Sequence, residues 1–247
     1  MWNQKFLRVL SPYGTHNHFR RMRLRVPKPV CIRFGSRSPL PPEYLEINTI
    51  EAINNTRDKL ATKSIMKKIG SKTPKFWLIN EEPDAFPVLL KPRFGMKGKG
   101  IVFAEDLENF RREKAKLKNK AAYFIEKYTT FSKEYRLHMS ITSKCFFTMR
   151  KMKKIDSVSD KIITDGNSIW LYSDNENFDR PSNWDQIVED CYKLLVAAGL
   201  HFGAFDVKVA KDGGWNILEI NSAPGLDGKT VQAYEKELIN LVNYVMK

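Results

Sequence analysis

Hydrophobic positions along the chain change period several times, and each change predicts an element. From Asn48 the spacing is helical: Ile50 and Ile53 open one short helix, and Leu60, Ser64, Ile65 and Ile69 follow before Gly70, a C-terminal cap signal. Pro74 stops that helix, and KFWLI at 75–79 predicts a strand. FPVLLKPRFGMKGKGIVFAED then reads as strand, glycine-rich loop, strand. Asp106 caps a predicted helix through Lys118 whose apolar stripe is Leu107, Phe110 and Leu117. AYFIEKY (122–128) is a predicted strand whose mixed apolar run implies burial on both sides. EYRLHMS (134–140) alternates with period two, so Tyr135, Leu137 and Met139 face one way and Glu134, Arg136 and His138 the other. CFFTMRKMKK (145–154) reads as its hairpin partner, with Arg150, Lys151, Lys153 and Lys154 expected at a site mouth or in solvent.

Residues 156–179 predict loop, with weak strand content from Ile169 to Tyr172. The strongest helical pattern comes next. Trp184, Ile187, Val188, Cys191, Leu194, Leu195 and Ala198 share one face, a Ser182-x-x-Asp185 capping box opens it and Gly199 ends it. FDVKVA and GWNILEIN, joined by Asp212-Gly213, predict a β-hairpin. A final helix from about Thr230 turns Tyr234, Leu238, Leu241, Val242 and Val245 inward. Before Asn48 the chain is dense in proline and arginine, and only Val30 to Phe34 reads as strand.

The hairpin carries the first candidate chemistry. A turn centred on Asp212-Gly213 sets Lys211 against Gly214 and, counting back, Asp206 directly opposite Glu219. Alternation gives Phe205, Val207, Leu218 and Ile220 one face, and Asp206, Glu219 and Asn221 the other. Two carboxylates about 5 Å apart across a ladder repel each other, so a cation is expected between them. Two carboxylates and an amide are hard oxygen ligands suited to Mg²⁺, with nucleotide phosphates completing its octahedron. The plainer alternative is an exposed hairpin whose acids are neutralised by Lys208 or solvent.

The glycine-rich loop carries the second. Gly95, Gly98 and Gly100 let a backbone approach a ligand, while Lys91, Arg93, Lys97 and Lys99 supply positive charge. Phosphates are the expected guest of such a flap; a mobile basic hairpin is the plainer reading. It is not a P-loop, because no glycine stands five residues before a Gly-Lys-Ser/Thr. Glu134 and Arg136 offer acid and guanidinium to ribose hydroxyls and phosphate oxygens, with His138 better read as a hydrogen-bonded structural residue. His16 and His18, two apart without further ligands, read as polar loop rather than a metal site.

Composition narrows the partner. The 247 residues hold 42 Lys and Arg against 28 Asp and Glu, a net charge of +14, which points to an anionic partner: nucleotide phosphates, nucleic acid or an acidic substrate. Cys31, Cys145 and Cys191, odd in number and far apart, suggest neither a disulfide framework nor a zinc site, and a cytoplasmic location is expected. No stretch approaches 18 consecutive apolar residues and Arg8 interrupts the first run, so neither a membrane span nor a signal peptide is expected.

The order of these parts resembles the ATP-grasp superfamily, and within it the small ATP-grasp proteins of bacteria and phages. The matching pieces are IRFGSRSP, AINNTRDKLATKSIM, FPVLLKPRFGMKGKGIVF, YFIEKY, KEYRLHM, HFGAFDVKV and WNILEINSAPGL, spanning residues 30 to 235 or so. The resemblance implies an α+β (α/β) ATP-grasp fold: a short basic amino-terminal lobe at 1–58, a lid with its flap at 59–129, and a carboxyl-terminal subdomain with the metal site at 130–247. It implies that Lys59 and Lys91 reach the nucleotide phosphates beneath a flap of Gly95, Lys97, Gly98, Lys99 and Gly100. Glu126, Lys127 and Tyr128 occupy the hinge that reads adenine, and Glu134 holds the ribose. Arg136, Arg150 and Lys91 are the implied catalytic cations near the transferred phosphate and acyl substrate. Asp206, Glu219 and Asn221 match ligands of Mg²⁺, or of Mn²⁺ in its place, and Asn167 a further substrate contact. The basic amino-terminal lobe and the lysine-rich 150–154 segment depart from the family pattern and leave the substrate open.

The implied activity is that of an ATP-dependent carboxylate–amine ligase working through an acyl phosphate, on anionic small-molecule or peptide carboxylates and amines. Two other readings stand beside it: a kinase-like use of the same fold that stops at phosphoryl transfer, and a nucleic-acid-binding protein that uses its basic surface.

Overall fold

A computed structural model describes residues 5–14, 17–19, 24–96, 98–153, 168–175 and 178–247. Three sheets organise them. Strands β1 (Lys5–Leu10), β2 (Arg25–Val26), β3 (Val30–Arg33) and β4 (Leu45–Ile47) form the first, in the order β2-β1-β3-β4, with β1, β3 and β4 parallel. Of these the sequence pattern predicts only β3, so the remaining strands correct that expectation. Arg33 shows how an arginine-rich stretch folds inward. Fully buried, it donates from Nε and Nη2 to Glu46 on β4 at 2.8 and 3.1 Å, and from Nη1 to the carbonyls of Ser36 and Ser38 at 3.2 and 2.6 Å. A guanidinium so placed is tolerable only with all these acceptors around it.

Helices α1 (Ile50–Arg57) and α2 (Lys59–Ile69) follow, with the Thr49 and Asp58 side chains capping the amides of Ala52 and Leu60. Gly70 ends α2 in the left-handed conformation, as predicted. The second sheet is antiparallel in the order β5-β8-β6-β7: β5 (Phe76–Leu78), β6 (Val88–Pro92), β7 (Val102–Ala104) and β8 (Tyr123–Lys127). Helix α3 (Leu107–Lys116) covers it, ending at Lys116 rather than Lys118, and its Phe110 completes a small core with Trp77, Val88, Leu90, Ala104 and Ile125.

The third sheet, antiparallel, runs β11-β10-β9-β12-β13: β9 (Lys133–Ser140), β10 (Lys144–Lys153), β11 (Ser168–Tyr172), β12 (Phe202–Val209) and β13 (Trp215–Asn221). Helix α4 (Trp184–Ala197) buries Ile187, Cys191, Leu194 and Leu195 against Tyr135, Leu137 and Met139 of β9 and Phe205, Val207 and Ile217 of the hairpin. Met66 of α2 enters the same core. The Ser182-x-x-Asp185 box does not form. The N-cap is Asn183, which makes no side-chain cap; its Nδ2 donates instead to the Gly213 carbonyl at 2.6 Å and ties the start of α4 to the hairpin turn. Helix α5 (Gly228–Val245) sets Tyr234, Leu238, Leu241 and Val242 against Val30, Ile32, Phe34 and Phe202, joining the first sheet to the third. All three cysteines are free, and among the described residues no helix is long and apolar enough to cross a membrane.

Candidate functional site

The hairpin of β12 and β13 reaches its expected pairing by an unexpected route. Gly213 N–H donates to the Ala210 carbonyl at 3.1 Å and Ala210 N–H to that of Gly214 at 2.7 Å, so the loop has three residues, Lys211-Asp212-Gly213, with Gly213 at φ +85°. Val209 consequently faces Trp215 and Val207 faces Ile217, one residue out of the predicted register. A bulge at Leu218 takes the offset back, and Asp206 faces Glu219. Ile217, not Leu218, therefore joins the core face.

Directly paired residues of an antiparallel sheet share a face, which lays out the rows of the site. Arg136 lies between Met149 and Asp206, and Asp206 faces Glu219. In the adjoining row Glu134 stands between Lys151 and Lys208; in the other, His138 faces Phe147 and Ala204, and Ala204 faces Asn221. Asp206, Glu219 and Asn221 are thus together: Asn221 Nδ2 donates to Glu219 Oε1 at 3.3 Å, and Asp206 pairs with Glu219 across the ladder. Arg136 donates to both Asp206 oxygens, from Nε at 2.7 Å and Nη2 at 2.9 Å. Burial alone would push the Asp206 carboxyl up, but that guanidinium overrides it and holds the carboxyl below its ordinary value. His138 is structural, as expected: it is fully buried, its Nδ1 sits 3.0 Å from the Tyr234 hydroxyl, and desolvation pushes it down to about 3.

The second sheet faces this row with cations. Lys91 on β6 donates to Glu126 Oε1 on β8 at 2.9 Å, and Lys63 of α2 lies 2.7 Å from Glu126 Oε2. All three side chains are buried. Burial would raise the Glu126 carboxyl; the two lysines outweigh it and pull it down to about 2. Both oxygens of Glu126 are therefore engaged by lysines, so its side chain is not free to read a base. Lys63 Nζ also reaches the Ile217 carbonyl of β13 at 3.4 Å, so it bridges β8 of the second sheet to β13 of the third. Lys59 Nζ donates to the Gly95 carbonyl at 2.7 Å and stands 3.4 Å from Glu219 Oε2, spanning the glycine-rich loop and β13. Gly95, Gly98 and Gly100 all have positive φ, and Lys99 is exposed among them. Lys97 and Asn167 lie outside the described residues, as do His16 and Lys154.

At the hinge, the Lys127 ammonium donates to the Phe86 carbonyl, and Tyr128 N–H donates to that of Pro87 at 3.0 Å, with its ring edge-on to Phe103. Lys208, mostly buried, lies over the rings of Phe131 and Tyr128 at 4.0 and 6.0 Å and opposite Glu134. Desolvation pushes the Glu134 carboxyl up and the Lys208 ammonium down. Arg150 departs from its expected place. It pairs across the ladder with Tyr135, a core residue, and its guanidinium is bound to Asp179, so it lies on the opposite face from Arg136 and Asp206. Lys151, its neighbour, faces the site over Trp170, 5.4 Å from the ring centroid. Lys63 is a residue that the sequence reading passed over, and Lys208, read there only as a neutraliser of the hairpin acids, stands against Glu134. The signal for Lys63 was its place one helical turn after Lys59.

This donor set fits a magnesium ion. Among the described residues no group of three or more His, Cys, Asp and Glu is poised for a metal; two carboxylates and one amide leave half of an octahedron to water and to a phosphate-bearing ligand.

Two facing sheets with a glycine- and lysine-bearing loop over an acidic hairpin give the chain the fold of solved ATP-grasp ligases. No known family model matches the chain. It is similar to the coenzyme gamma-F420-2:alpha-L-glutamate ligase of Methanococcus maripaludis, 28% identical over an alignment of 200 residues that covers 74% of this chain. The chain spans 64% of that relative's length. Among solved structures it is similar to the N5-carboxyaminoimidazole synthase of Aspergillus clavatus in complex with ADP and 5-aminoimidazole ribonucleotide. There the TM-score is 0.65 at 14% identity, over 90% of this chain and 70% of that one. It is also similar to the ATP-grasp ligase PsnB with minimal precursor, Mg and ADP, at TM-score 0.57 and 16% identity over 83% and 63% of the two chains.

Proposed function

We propose that the chain is an ATP-dependent carboxylate–amine ligase, with the nucleotide held between the second sheet as lid and the third sheet as floor. The observation that carries this reading is the charge of the cleft. Lys59, Lys63, Lys91, Arg136, Lys151 and Lys208 outnumber Glu126, Glu134, Asp206 and Glu219 by two, so the cleft favours an anion of the kind a magnesium-bound nucleoside triphosphate presents. Asp206, Glu219 and Asn221 would hold the magnesium, which supplies charge neutralisation at the phosphoryl oxygens. Lys59 and Lys91 grip the phosphates from the lid, and Gly95 to Gly100 cover them and keep water from the reacting group. Glu134 accepts from ribose hydroxyls, and the backbone of Glu126 to Tyr128 presents donors and acceptors to the base. Arg136 stabilises the charge that develops as the phosphoryl group passes to a substrate carboxylate. An amine then attacks the resulting acyl phosphate, forming the amide and releasing phosphate. The relative's name, a glutamate ligase, supports an anionic amino-acid or peptide substrate.

The test is ADP release from ATP with pooled carboxylic acids and amines, and mass spectrometry of the products. An amide whose formation needs both partners is expected. Phosphorylated acids with no amide under any amine would make the chain a kinase instead.

A further inference from the structure

Lys63 is a buried cation that the mechanism above uses only as part of the net charge of the cleft. It stands one turn after Lys59 on α2, on the face that carries Met66 into the core, and its side chain is 1% exposed. Its ammonium lies 2.7 Å from Glu126 Oε2, donates to Thr73 Oγ1 at 2.6 Å and reaches the Ile217 carbonyl of β13 at 3.4 Å. Lys91 takes the other oxygen of the same carboxylate at 2.9 Å. One carboxylate therefore serves two ammonium groups, and all three are sealed from water. Burying a matched ion pair is already costly; burying a pair with a surplus cation is costlier unless an anion stands close by. Asp206 and Glu219 offset part of that surplus, and a phosphate beside Lys91 would offset the rest.

We infer that Lys63 is a positioning residue for the nucleotide phosphates: by engaging Glu126 Oε2 it leaves Lys91 only partly neutralised, and through Ile217 it holds lid strand β8 against the strand that carries Glu219. The inference rests on the nucleotide reading above. Without Lys63, Glu126 closes on Lys91 as a neutral pair and the attraction of that ammonium for phosphate falls. With Glu126 also uncharged, Lys91 regains its full charge.

The experiment is equilibrium binding of Mg-AMPPNP and of AMP to the full chain, with thermal melts alongside. The proteins are wild type, Lys63→Met, Lys91→Met, their double variant, and Lys63→Met with Glu126→Gln. Lys63→Met is expected to weaken Mg-AMPPNP on the order of 10- to 100-fold, as loss of outer-shell partners does at metal sites, and to leave AMP unchanged. In the Lys91→Met background the same change adds nothing, and Glu126→Gln restores part of the triphosphate affinity. A purely structural lysine would weaken both ligands alike and show no rescue, which would overturn the inference. Should Lys63→Met not fold, Thr73→Val, which removes one partner of the ammonium, weakens Mg-AMPPNP selectively; equal affinity overturns it. Wild type that binds Mg-AMPPNP no better than Lys63→Met removes the role of Lys63 and leaves the nucleotide reading standing. Wild type that binds neither ligand removes both.

Discussion

Glu126 sets the acid sensitivity of the protein. Its carboxyl is held at about 2 in the folded state against 4.5 ordinarily, so its stabilisation is complete above 4.5 and is lost as pH falls from there towards 2. His138 acts in the same direction over a higher window. Burial holds it at about 3 against 6.5, so the unfolded chain takes up a proton that the folded chain refuses as pH falls below 6.5. Urea midpoints measured from pH 7 to pH 3 should therefore fall continuously, and a flat profile would contradict both placements. Glu126→Gln at neutral pH leaves two lysines without their anion and is expected to cost about 3 to 5 kcal/mol in the same assay. At this scale the sequence was readable where parity decided the outcome. Alternation along β9 and the hairpin put Glu134, Arg136, Asp206, Glu219 and Asn221 on one face because the other face is packed into the core. The same parity excludes Arg150 once Lys151 faces the site. Lys63 was not readable, because its partners on β8 and β13 come from distant parts of the chain; for Lys208 parity gave the face but not the pairing with Glu134.

Among the elements, the β12–β13 hairpin shows how local and tertiary signals combine. The Asp212-Gly213 signal located the turn but not its length, since a three-residue loop also needs one glycine at positive φ. The bulge at Leu218 compensates, so the pairing of the two acids survived an error in the turn. Gly213→Ala should cost about 1 to 2 kcal/mol from backbone strain alone. A Cβ there meets only Asn183 Nδ2 at an ordinary 3.8 Å. Urea denaturation measures that loss, and no loss would contradict the turn geometry. The first sheet was the least legible element. Its strands are short, and its parallel pairing is completed by buried Arg33 and Glu46, which a composition rich in proline and arginine conceals. The flap is a further test: amides from Gly95 to Ile101 should exchange more slowly with Mg-AMPPNP present, and unchanged exchange would remove the flap from the phosphates.

For the molecule as a whole, the fold brings the lysines of α2 and β6 up to the charged face of the third sheet, and the central claim is that a magnesium–nucleotide complex joins them. A ligand that binds only the folded state should raise stability by about 2.7 kcal/mol at a hundredfold excess over Kd, so Mg-AMPPNP should raise the melting temperature where magnesium or AMPPNP alone does so far less. A nucleic-acid-binding use of the +14 charge would instead appear as affinity for RNA that falls steeply with salt and is indifferent to the hairpin acids. The most direct measurement is calorimetric titration of AMPPNP, with and without magnesium, into wild type and Glu219→Ala. Magnesium-dependent binding in wild type, lost in a Glu219→Ala protein with an unchanged circular dichroism spectrum, is the predicted result. Equal magnesium-dependent affinity in the two proteins would contradict it.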